Sequence, residues 1–128
     1  MTTLPDPDSI QVKAVARYLA DQSDEATDRY VFAYHITIRN TGDAPAQLLS
    51  RHWIITDAHG TIQEVEGSGV IGQQPTLKPG EAFEYTSGCV LTTPVGTMKG
   101  SYRMQTEDGV DFNATIPEFT LAMPRTLH

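Results

Sequence analysis

The chain has a single cysteine, few basic residues, no apolar run long enough to cross a membrane, and no segment with helical spacing of its apolar side chains. Each shortage removes a class of protein. Cys89 has no partner, so no intramolecular disulfide can form and nothing marks an oxidising compartment. A membrane helix needs about 20 consecutive apolar residues. The amino terminus, MTTLPDPD, has neither the basic start nor the apolar run of a secretory signal, so a cytoplasmic location is expected. Nine Lys and Arg against sixteen Asp and Glu leave a net charge of −7. A field of that sign repels phosphate backbones and anionic bilayers, which argues against nucleic acid and membrane surfaces as partners.

What is present is two-residue alternation. At 128 residues the chain is expected to be one domain, with an ordered core over about residues 8–124. A domain of this size buries roughly two thirds of its unfolded surface, enough for a core without metal or disulfide staples. Ile10, Val12, Ala14, Ala16 and Tyr18 share one face of an extended strand. After a polar loop from Asp21 to Arg29, the aromatic stripe Tyr30, Phe32, Tyr34 continues into Ile36 and Ile38 and alternates with His35, Thr37 and Arg39. Turn residues at 40–45 lead to a third strand, Gln47 to Asp57, whose Trp53 is a candidate core anchor. A hairpin turn at Asp57 to Gly60 then opens a strand from Thr61 to Glu66.

From Gly67 to Glu81 the chain reads GSGVIGQQPTLKPGE, a glycine- and proline-punctuated crossing from one sheet to another. Within it, Lys78-Pro79-Gly80-Glu81 suits a type II turn. Strands are expected at Ala82 to Ser87, Thr97 to Thr106 and Val110 to Ile116. Seven or eight short strands separated by turns, with no helix, predict an all-β fold of two antiparallel sheets packed face to face, with a barrel as the alternative.

The segments SRHWIITDAHG, EVEGSGVIGQQPTLKPGE, FEYTSG and TPVGTMKGSY resemble the ApaG family in order and spacing, and the likeness runs from about Ile10 to Pro124. The resemblance implies a fibronectin type III-like, immunoglobulin-like sandwich. It implies free-standing bacterial proteins linked to cobalt tolerance and magnesium efflux under the name CorD, their genes often beside those for a dinucleoside polyphosphate hydrolase and a ribosomal RNA methyltransferase. Related domains inside larger eukaryotic proteins look like protein-binding modules. The family defines no catalytic residues that can be placed here, which argues against an enzyme.

Gly67, Gly69 and Gly72 match G-x-G-x-x-G, but the prolines downstream exclude the helix whose N-terminus would hold a pyrophosphate. A backbone nest aided by Lys78 and Arg51 is the remaining route to an anion, against the plainer reading that these glycines shape a loop. His35, His52, His59 and His128 with Asp57 lack the spacing of a metal site, so no structural metal and no cofactor is expected, only weak, adventitious binding of a divalent metal ion. Cys89, placed at a strand end, reads as a small buried apolar residue. Glu64 and Glu66, alternating with Ile62 and Val65, read as a solvated face. Val70, Ile71 and Leu77 are apolar residues in a loop: either they plug the end of the sandwich or they offer a protein partner a patch, as a free sheet edge also would. The expectation is a non-enzymatic interaction module. The alternative is a sensor of a pyrophosphate-containing nucleotide on the Gly67–Gly72 loop.

Overall fold

In the computed structural model, which describes residues 6–124, the alternation resolves into eight strands. They are β1 (Ile10–Tyr18), β2 (Tyr30–Asn40), β3 (Ala46–Asp57), β4 (Ile62–Ser68), β5 (Thr76–Leu77), β6 (Ala82–Leu91), β7 (Val95–Thr106) and β8 (Asp111–Ala122). One antiparallel sheet has the order β1-β2-β6; the other has the order β4-β3-β7-β8, with β5 paired to the start of β3. The two pack as a fibronectin type III-like sandwich. His128 lies outside the described residues.

The period of two decides which side chains meet. Phe32, Ile36 and Ile38 of β2 face Leu48, Tyr102 and Ile116 of the other sheet, all fully buried. Trp53 is 2% exposed and stands edge-on to Tyr34, Tyr102 and Phe119, with ring centroids 5.4, 6.4 and 6.0 Å away. Edge-to-face pairs of this kind add about 0.5–1.5 kcal/mol each beyond burial, so Trp53 is the anchor its sequence context suggested. Asn40, 1% exposed, ties the crossing to the core: its amide donates to the carbonyls of Ala44 and Leu77, and its oxygen accepts from the Gly42 N–H.

Several elements differ from the sequence reading. β6 does not stop at Ser87 but continues to Leu91, so Cys89 lies inside a strand, paired with Phe32. β8 runs on through Pro117, because Pro117 and Glu118 together face Lys99 in a bulge at an outer strand, where a missing N–H costs no ladder bond. The polar loop at 21–29 carries two short 3₁₀ turns, Ala20–Gln22 and Glu25–Thr27. Ile62 shares the exposed face of Glu64 and Glu66 and is 62% exposed; Val65 alone packs toward the core.

The sandwich is closed on one long side and open on the other. β1 packs against β8 on the first side. β4 and β6 border the second, each with a neighbour on one side only.

Candidate functional site

The glycine segment folds as a two-residue hairpin, not as a helix cap. Val70 and Gln73 exchange both backbone hydrogen bonds at 2.9 Å, and Ile71 and Gly72 between them both have positive φ, 42° and 78°. That is a type I′ turn. Gly72 meets its backbone demand freely, whereas Ile71 holds a β-branched side chain in the left-handed region while 57% exposed. Gly69, at φ 60°, is needed for a second reason: any Cβ there would run into the Gln73 carbonyl. Gly67 leaves room for the Arg51 guanidinium, which lies against it and donates to the carbonyls of Ser68 at 3.0 Å and Gly69 at 2.9 Å.

The fold therefore brings Arg51 to the glycine loop, as a clamp on its carbonyl oxygens. Lys78 is not brought there. It is exposed beyond β5, whose Leu77 pairs with Ala46, five residues along β3 from Arg51 and on the order of 16 Å away at strand rise. Its own turn has the expected form, with Glu81 N–H donating to the Lys78 carbonyl and Gly80 at φ 84°. Of the three apolar loop residues, Val70 and Leu77 are buried at 0% and 4%. An exposed patch of all three is thus corrected to Ile71 alone: the other two plug the end of the core, where their apolar surface leaves water.

Beside the loop, the outer face of the larger sheet carries an open groove of about 540 Å³, lined by Ser50, Arg51, His52, Glu66, Gly67, Ser68, Ser101, Arg103 and Asn113. Cross-strand register assembles it, since Ser68, Ser50, Arg103 and Asn113 form one row and Glu66, His52, Ser101 and Thr115 the next. His52 Nε2 stands 3.8 Å from a Glu64 oxygen and 3.7 Å from a Glu66 oxygen and has no hydrogen-bond partner among the described residues. Arg103 donates from Nε to Asp111 at 2.8 Å, and Gln105 donates to the same carboxylate. These bonds, Arg103 first, hold the Asp111 carboxyl below the usual range.

Glu66, His52 and Ser101 are the residue types of a hydrolytic triad, but the geometry does not make one. β3 and β7 are interior strands whose backbone N–H groups lie in the sheet plane and belong to the ladder, so none of these is aimed at an oxyanion developing above the face. Among the described residues, no three His, Cys, Asp or Glu side chains converge to hold a metal ion. His35 is engaged elsewhere, on the outer face of the smaller sheet, with Thr86 at 2.8 Å and Glu84 at 3.1 Å. Hydrogen bonds from His35 and then Thr37 hold the Glu84 carboxyl below its ordinary value. His59 sits in the Asp57–Gly60 turn, where its N–H donates to Asp57.

The open seam presents different chemistry. Toward the interior, the Tyr85 and Tyr102 hydroxyls join the two sheets by a hydrogen bond. Burial pushes the Tyr85 phenol up to about 12 and the Tyr102 phenol higher still. Burial also pushes the Cys89 thiol up to about 11, which leaves no thiolate for nucleophilic chemistry near neutrality. Toward solvent, β6 has its free edge, with Thr86, Gly88 and Val90 exposed on the outer face. A shallow hollow of about 220 Å³ separates Val90, Leu91 and Thr92 from Thr61 and Gln63 beside β4.

Comparisons with known proteins bear on the family and the fold. The sequence profile of the ApaG domain matches residues 20–106. The chain is similar to proteins named Protein ApaG from Aromatoleum aromaticum and from Thiobacillus denitrificans, each 63% identical over 119 residues covering 93% of this chain and 94% of the relative. It is similar in structure to the crystal structure of an ApaA protein from Bordetella pertussis, with a TM-score of 0.89 and 57% identity over 91% of this chain and 95% of that one.

Proposed function

This chain belongs to the ApaG domain family, and on that premise we propose that it is a non-enzymatic protein-interaction module that takes its partner at the free edge of β6. The observation carrying this reading is the composition of that edge. From Thr86 to Leu91 the strand has no charge and no proline, and Val90 is 47% exposed on it. An unguarded edge offers backbone donors and acceptors that an extended segment of another protein can pair with. In this reading any bearing on cobalt or magnesium handling runs through the partner. The test compares capture of proteins from a bacterial lysate by the wild type, Val90→Glu and Ile62→Glu. Partners held by the wild type and by Ile62→Glu should be lost from Val90→Glu; equal capture by all three overturns the reading.

A second reading, a sensor of a pyrophosphate-containing nucleotide, has one support: the groove beside Gly67 gathers Arg103 with three serine hydroxyls and an asparagine amide. Gly69 is the wrong residue to test it with, because a side chain there disrupts the turn itself. Titration of the wild type and Arg103→Ala with diadenosine tetraphosphate, followed by amide NMR, is the appropriate experiment. Saturable shifts at Gly67–Ser68 that vanish in the variant support the sensor; silence in the wild type removes it.

A further inference from the structure

We infer that the β6 edge pairs with β6 of a second copy of this chain, antiparallel about a twofold axis at Gly88. This rests on the reading of β6 as the interaction edge and names its occupant. Like charges directly opposite one another destabilise a strand pair, so each free edge can be examined for the charges a twofold would oppose. β1 packs against β8, which covers that side. β8 adds Pro117 and its bulge, which break any continuous ladder.

β4 is exposed, but it is short and carries Glu64 and Glu66 on one face. An antiparallel twofold must oppose residues on the same face. Every such register of β4 that overlaps by more than about three residues therefore sets Glu64 or Glu66 against Glu64 or Glu66 of the other copy. Self-pairing at β4 is blocked by charge.

β6 has no such conflict, because its only charged residue is Glu84. The crossing enters β6 at Ala82, so the later half of the strand is the accessible part. An axis at Gly88 uses that half. On the outer face it sets Thr86 opposite Val90 of the second copy, twice by symmetry, and β-branched residues opposite one another are favourable sheet neighbours. On the inner face Ser87 meets Cys89 and Tyr85 meets Leu91. Glu84 falls opposite Thr92, which is uncharged. Gly88 lies on the axis itself, where two copies of one side chain would otherwise meet. The result is a continuous six-stranded sheet, β1-β2-β6 from each copy.

The register is testable because it pairs residues 86 and 90 across the axis. Sedimentation equilibrium on the full chain from about 1 to about 200 μM should show a monomer–dimer equilibrium. Thr86→Lys and Val90→Glu, each placing one charge against an apolar or hydroxyl neighbour, should each weaken the dimer by about tenfold. The double variant T86K/V90E sets the introduced ammonium of one copy against the introduced carboxylate of the other in both pairs and should restore the affinity to about the wild-type value. Circular dichroism confirms that all four proteins are folded. A wild type that stays monomeric across the range, or a double variant no tighter than the singles, overturns the proposal. A monomeric wild type that still captures proteins lost from Val90→Glu sinks only the second-copy assignment and leaves the interaction edge standing.

Discussion

β4 and β6 border the same open seam of the sandwich, yet their edges are built from different chemistry. The β4 side is closed on itself. Arg51 is bound to the carbonyls of Ser68 and Gly69, Val70 and Gln73 pair with each other, and Glu64 and Glu66 flank His52. The β6 side is tied inward, through the Tyr85–Tyr102 hydroxyl pair, and left uncharged outward from Thr86 to Leu91. The motif that looks most like a ligand site in the sequence is thus one whose Ser68 and Gly69 carbonyls and Val70 backbone are already bonded within the chain. The plain strand beside it has backbone groups to offer.

The largest test breaks the closed side. Gly69→Val forces a β-branched residue to φ 60° and drives its Cβ into the Gln73 carbonyl, so the turn must open. A loss of about 3 kcal/mol is expected in urea unfolding, with Val70 no longer held at the core's end. A loss below about 1 kcal/mol would mean that the I′ turn is not what shapes this side.

Next in size is the response to alkali, which reads the inward face of the β6 side. Tyr85 and Cys89 on β6, and Tyr102 across from them, keep their protons in the folded protein above the pH at which the unfolded chain has released them. The unfolded state then binds fewer protons, so stability falls as pH rises. Each buried phenol contributes a fall of about 1.4 kcal/mol per pH unit between its unfolded and folded values. The urea midpoint should hold steady up to about pH 8.5, begin to fall as the unfolded Cys89 thiol ionises and drop more steeply above about pH 10, and Tyr85→Phe should reduce that steeper slope. An unchanged slope in Tyr85→Phe would show that this hydroxyl reaches water.

How much of this is legible in the sequence follows from how local each feature is. The stripe from Tyr30 to Ile38 and the position of Trp53 depend only on alternation, and the structure places them in the core. The ends of β6 and β8 are not legible, because Gly88 and Pro117 look like punctuation; whether each sits in a ladder or a bulge depends on a partner strand far away in sequence. Val70 and Leu77 stand open between two fates because no periodicity survives in a turn. The pairing of His52 with Glu66 is within reach. Counting back from the Asp57–Thr61 closure of the hairpin sets those two residues opposite each other. The groove's Ser101, Arg103 and Asn113 carry no motif, and only the β3–β7–β8 register collects them.

The smallest expected change in stability tests the comparison most directly, by making β4 resemble β6. Glu64 and Glu66 have side chains 61% and 75% exposed, so replacing both by threonine should alter the unfolding free energy by less than about 0.5 kcal/mol. Their effect should appear in association instead. With the β6 edge weakened about tenfold by Val90→Glu, the chain is expected to be mainly monomeric by sedimentation at low micromolar concentration, where the triple variant is compared with it. Adding E64T and E66T to that background removes the like-charge opposition at β4 and should return a concentration-dependent dimer. If the triple variant stays monomeric, charge is not what guards β4. The guard is then its short seven-residue span, ended by the pinned glycine turn, and strand length rather than charge separates the two edges.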